Sequence, residues 1–125
     1  MSIQIWSFRS NSYKVLGCLS PVLKNAMDVP VKVTTGGLVL PDTKLILALG
    51  NESAAFLAGE SIIPKNRTVH ALRGLQFAYK DVPVFLSYSP DVGEINHKWE
   101  VDLLTDTAQM IRLYKTGSLK PKYGE

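Results

Sequence analysis

Lys44-Leu45-Ile46-Leu47-Ala48-Leu49-Gly50-Asn51-Glu52-Ser53-Ala54-Ala55 is an almost unbroken apolar run closed by glycine and followed at once by helix-starting residues. A strand with one wet face alternates apolar and polar residues; this run does not, so it is predicted to be a parallel strand covered on both faces and central in its sheet. Asn51 stands where a helix cap belongs, and Glu52 and Ser53 suit a first turn. Ala54, Ala55, Leu57 and Ala58 continue the helix until Gly59 stops it.

A second strand-to-helix passage lies downstream. Leu75, Phe77 and Tyr79 alternate with small or polar residues, Lys80-Asp81 makes a turn, and Val82 to Tyr88 is a strongly apolar strand ending at Ser89-Pro90. After Asp91-Val92-Gly93 a long helix is predicted from near Glu94. Ile95, Trp99, Leu103 or Leu104, Ala108 and Ile111 form its apolar stripe, with Glu100, Asp102, Asp106 and Arg112 largely elsewhere. Two such passages bring the loops after Leu49-Gly50 and after Ser87-Tyr88 to the same edge of a parallel sheet, the edge at which these folds bind ligands. Between the passages, Glu60 to Arg73 turns polar and basic and reads as a surface loop.

Upstream, Ile3, Ile5 and Phe8 with Trp6 between them are β-prone, and Ser10-Asn11-Ser12 offers caps for a helix from about Ser12 to Met27. Gly17 and Pro21 leave one kinked helix or two short ones open. Val29 to Val33 and Leu38 to Leu40 flank Thr34-Thr35-Gly36-Gly37 and predict a hairpin, which Pro30 and Pro41 place at a sheet edge. The expected architecture is a small three-layer α/β domain with a mostly parallel central sheet over residues 1–114, followed by a basic tail or linker over 115–125.

The 125 residues, 46% hydrophobic and 20% charged, suit one globular domain and exclude a disordered chain or a fibre. A formal charge of +3 permits a polyanionic partner without requiring one. One cysteine, Cys18, makes no internal disulfide and no four-cysteine metal site. With no export signal and no apolar span of about 20 residues, an intracellular protein without a membrane segment is expected.

The order of motifs resembles the C-terminal half of the uracil-DNA glycosylase superfamily, especially its bacterial and archaeal iron-sulfur branches. The matching pieces are Ala48-Leu49-Gly50, Ala54-Ala55, Arg73-Gly74, Val82-Pro83-Val84, Ser87-Tyr88-Ser89-Pro90-Asp91 and Trp99-Glu100-Val101-Asp102-Leu103. They cover somewhat more than half of the chain and imply an abbreviated version of that fold. The departures concern chemistry. Where the family's last loop offers a histidine to the departing uracil, this chain has Ser89, a neutral and weaker donor that would cost about two orders of magnitude in rate. No Gly-Glu-x-Pro-Gly-like or Gly-Gln-Asp-Pro-like water-positioning segment precedes Lys44, and Cys18 alone, ahead of Pro21-Val22-Leu23, cannot hold the cluster.

The resemblance therefore implies a non-catalytic, DNA-interacting domain without a cofactor, acting in a replication or repair assembly, a viral one included, beside a protein such as a polymerase. An active glycosylase with a reduced or shared site, and a protein-interaction module that keeps only the scaffold, are the alternatives. Lys65, Arg67, His70 and Arg73 are expected to face the DNA backbone with Ser87, Ser89 and Pro90, and Gly50-Asn51 forms a candidate pocket or phosphate loop. Each also has a plain structural reading: a solvated basic loop, turn-forming serines, and an ordinary strand-to-helix turn. His97 reads as a surface histidine, and Trp99 and Trp6 as packing residues.

Overall fold

The computed structural model describes residues 2–8, 12–24, 29–35, 37–65, 68–73, 75–90 and 97–117. Its elements in chain order are β1 (Ser2–Ser7), α1 (Ser12–Leu23), β2 (Val31–Thr34), β3 (Thr43–Leu49), α2 (Gly50–Gly59), α3 (Val69–Leu72), β4 (Gln76–Tyr79), β5 (Val82–Ser87) and α4 (His97–Thr116). The strands form one sheet in the order β2-β1-β3-β5-β4, with every pairing parallel except the β4–β5 hairpin. The apolar run that opens at Lys44 is the central strand, and its side chains from Leu45 to Leu49 are buried on both faces.

Register sorts the side chains into two faces. Ile5, Leu47 and Phe85 lie in one row across the sheet, and Trp6, Ala48 and Leu86 in the next, which points the other way. Ser87, on the Ile5 face, is bonded to α4, and α1 packs against α4. Trp6, on the opposite face, meets Phe56 of α2 edge to face at 5.4 Å, and Tyr79 closes an aromatic trio with both rings at 5.6 and 5.7 Å. Three layers result: α1 and α4, the sheet, and α2.

The first helix is a single element with Pro21 inside its last turn. Cys18 on this helix is half-buried; burial pushes its thiol pKa up and the carboxylate of Glu100 adds to this, against Lys14. A raised pKa leaves less thiolate at neutral pH, so Cys18 is expected to be alkylated several-fold more slowly than free cysteine near pH 7.5, with the rate still climbing above the ordinary thiol range. Mass-spectrometric timing of iodoacetamide uptake checks this, and a rate equal to that of a free thiol would contradict it.

The N-terminal hairpin is not formed. β2 pairs parallel to β1 as an edge strand, and Leu38 to Leu40 has no strand partner among the described residues. A parallel strand must be left by a crossover, and here the described part of the return path, over the Gln4 and Trp6 side of β1, contains no helix. Gln4, fully buried, donates to Thr34 Oγ1 and the Leu38 carbonyl, and accepts from the Leu40 N–H and Thr43 Oγ1. Trp6 Nε1 donates to the same Leu38 carbonyl at 2.9 Å. These side chains supply the partners that the crossover backbone does not find in a ladder. Gly37 permits the path: its φ is +74° and a Cβ there would stand 3.1 Å from the Phe56 ring.

The β4–β5 turn follows the expected pattern, with Lys80 and Asp81 both at positive φ, 51° and 66°, as a two-residue hairpin turn requires. Glu60 to Arg73 is more than a surface loop. It contains α3 and buries Ile63, Val69 and Leu72.

Candidate functional site

The C-terminal ends of β3 and β5 lie side by side, Leu49 opposite Ser87. The turns that follow them touch. Gly50 has φ +86°, and a Cβ added there would be 3.3 Å from the Ser89 Cβ, so a residue without a side chain is what lets the two loops close up. The helix cap position falls at Leu49, two residues earlier than expected, and Asn51 is used differently, its Oδ1 accepting the Val69 N–H at 3.1 Å. This bond ties the start of α3 to the start of α2.

Together these pieces bound a pocket of about 280 Å³ lined by Gly50, Asn51, Thr68, Val69, His70, Tyr88, Ser89 and Trp99. It is near the small end of ligand pockets, which run from about 300 Å³ upward. Trp99 is half-buried, packs against the core as expected, and also serves as pocket wall. Its indole stacks on Tyr88 with ring centroids 5.7 Å apart and planes inclined by 26°. Tyr88 is itself buried, and its hydroxyl is 2.7 Å from His70 Nδ1. Burial pushes the Tyr88 phenol pKa up, with Asp102 and Asp106 adding and Arg73 opposing, so it stays protonated at neutral pH. The pocket therefore has an aromatic wall and a polar rim of carboxamide, imidazole and hydroxyl groups.

Behind the wall runs a second constellation. Trp99, Asp102 and Asp106 are spaced to share one face of α4. Asp106 is buried on that face, contrary to the expectation that it lies off the apolar stripe, because three donors meet it. Arg73 Nε and Nη2 bind its two oxygens at 2.9 and 2.8 Å, and Ser87 Oγ donates at 2.7 Å. Arg73 Nη2 also lies 3.7 Å from Asp102 Oδ1, and the guanidinium carbon sits 5.7 Å from the Tyr88 ring centroid. Burial lowers the Arg73 pKa, but the bond to Asp106 and the charges of Asp106 and Asp102 outweigh it and raise the pKa.

The expected DNA-facing residues thus separate. His70, Ser89, Gly50 and Asn51 meet at the pocket. Lys65 is exposed and lines a neighbouring groove of about 380 Å³ beside Ala54, Ala55 and Ala58 of α2; that groove shares Asn51 and Thr68 with the pocket. Ser87 is completely buried and spends its hydroxyl on Asp106, and Arg73 is engaged in the same cluster; neither lines the pocket. Pro90 is buried. Arg67, and residues 91–96 with the helix start expected near Glu94, lie outside the described residues. His97 is a surface residue, 84% exposed and 3.4 Å from Glu100.

Among the described residues no three His, Cys, Asp or Glu side chains are placed to hold a metal ion, and no helix is long and apolar enough to cross a membrane. Trp99, Tyr88 and Asp106, with Thr68, Val69 and Asp102, are the site residues that the sequence alone did not assign. The signal for two of them was the seven-residue spacing of Trp99 and Asp106, which returns to the same helix face. No protein-family model matches the chain, and no curated protein matches it at a significant level.

Proposed function

We propose that this chain is a non-catalytic, DNA-interacting domain of uracil-DNA glycosylase-like type, serving a replication or repair assembly, and that its pocket receives an unstacked base. The observation that carries this is the Tyr88–Trp99 wall at the joined ends of β3 and β5. A base removed from its stack loses a π-face contact and gains one on an aromatic platform, worth about 1–3 kcal/mol per base. Asn51, His70 and Ser89 on the rim suit hydrogen bonds to a base edge, and Lys65 in the adjoining groove suits a phosphate. The pocket lining, among the described residues, contains no carboxylate to activate water. Asp102 and Asp106 behind it are drawn to Arg73.

Titration of a labelled single-stranded oligonucleotide at several salt concentrations tests the proposal. The logarithm of the binding constant should fall linearly with the logarithm of salt. Trp99→Ala should weaken binding by about tenfold or more at every salt. Absence of any salt-dependent binding would remove the reading.

An active base-excision site is the second reading, favoured by His70, which brings an imidazole to the Ser89 loop from α3. Uracil release from a labelled oligonucleotide separates the two: an alkali-labile gap that depends on His70 supports the enzyme, and an intact strand supports the binding domain.

A further inference from the structure

We infer that Arg73 is a positioning residue of the pocket and not a contact to the ligand: anchored by Asp106, its guanidinium holds the Tyr88 ring and, through the Tyr88 hydroxyl, the His70 imidazole. The first argument is charge. Two carboxylates face the Arg73 guanidinium, Asp106 in a bidentate fork and Asp102 Oδ1 at 3.7 Å, so its charge is already matched and little of it is left for a phosphate. The second is geometry. The Arg73 side chain is 29% exposed, and its guanidinium carbon lies 5.7 Å from the Tyr88 centroid, inside the range of about 6 Å over which a cation is drawn to a ring face.

A chain of contacts follows. Ser87 and Arg73 fix Asp106, Arg73 meets the Tyr88 ring, Trp99 stacks on that ring, and the phenol oxygen meets His70 Nδ1. Trp99 and Asp106 are both carried by α4, so the same helix supplies the stacking partner of Tyr88 and the acid that aims Arg73 at it. The basic residue that sequence proximity assigns to the DNA backbone acts instead on the shape of the wall. This inference rests on the base-pocket reading only where DNA binding is measured; the placement of Tyr88 is tested without a ligand.

Two variants serve. Arg73→Gln combined with Asp106→Asn removes both charges and strands neither, which keeps the fold testable, and Arg73→Lys keeps the cation but loses the fork. Circular dichroism first establishes that both are folded. Acrylamide quenching of tryptophan emission then reports Trp99, because Trp6 is completely buried. The double variant should raise quenching about twofold as the indole loses its stacked neighbour, with Arg73→Lys in between. With a ten-residue oligothymidylate, the double variant should bind about tenfold more weakly at each salt concentration with an unchanged salt slope. Unchanged quenching would overturn the inference, and so would a slope reduced by about one, the mark of a lost phosphate contact. If the wild-type protein binds no oligothymidylate, the base-pocket reading fails, and the quenching comparison still decides whether Arg73 sets the wall.

Discussion

Replacing Asp106 by alanine is expected to destabilise the domain by about 3 kcal/mol, read as a shift of the urea midpoint at unchanged slope. The side chain is 9% exposed and accepts three hydrogen bonds, from two nitrogens of Arg73 and from Ser87 Oγ. Its removal leaves the Ser87 hydroxyl with no acceptor in a completely buried position and leaves a guanidinium beside it without its fork. Breaking a fully buried pair costs about 3–5 kcal/mol. Arg73 retains contact with water, which sets the expectation at the lower end of that range. Asp106→Asn keeps an acceptor for Ser87 and gives up only the charge, so its loss should be smaller. A shift below about 1 kcal/mol for the alanine variant would mean that water replaces the carboxylate and that the cluster contributes little to the fold.

The same cluster shows where the sequence stops being informative. The central strand, the β4–β5 hairpin and the last helix follow from local pattern: an unbroken apolar run, a two-residue turn between alternating segments, and a stripe at helical spacing. The neighbouring ends of β3 and β5 follow from topology, since two parallel strands, each leading into a helix, finish on one edge. Asp106 is different. A carboxylate is placed on a solvated face by default, and only a partner from a distant segment reverses that. Its partners Arg73 and Ser87 stand 33 and 19 residues away, outside the reach of a periodicity argument.

Lys65, His70 and Arg73 show the converse limit, that of grouping by sequence proximity. α3 turns the chain between Lys65 and Arg73, so the former lies in the α2 groove, His70 in the pocket and Arg73 against α4. A short helix in a basic stretch leaves almost no compositional trace. The buried residues Val69 and Leu72 were the available hint, because two apolar side chains three apart in a polar loop mark one helical turn with an inner face. Trp99 was legible as a member of the α4 stripe but not as pocket wall, since its stacking partner Tyr88 and the other lining residues come from distant segments.

Gln4→Met should also cost about 3 kcal/mol in urea unfolding, although the side chain keeps its length and gains apolar character. Hydrophobic transfer alone would favour methionine at a site with no solvent exposure. The opposing effect is larger. Gln4 uses both ends of its carboxamide, donating to Thr34 Oγ1 and the Leu38 carbonyl while accepting from the Leu40 N–H and Thr43 Oγ1. Methionine removes all four bonds at once. The Leu38 carbonyl retains Trp6 Nε1, but the Leu40 amide and the buried Thr43 hydroxyl lose the acceptor they share. This is also why an apparent hairpin sequence becomes a crossover: a parallel β2 needs a return path over β1, and Gln4 makes that path tolerable for a backbone with no ladder of its own. The pocket lies at the other loops, so oligonucleotide affinity of the folded variant should stay within about twofold of wild type. A stability change near zero would show that the crossover finds its partners elsewhere, and a large loss of affinity would show that β1 and the pocket are coupled.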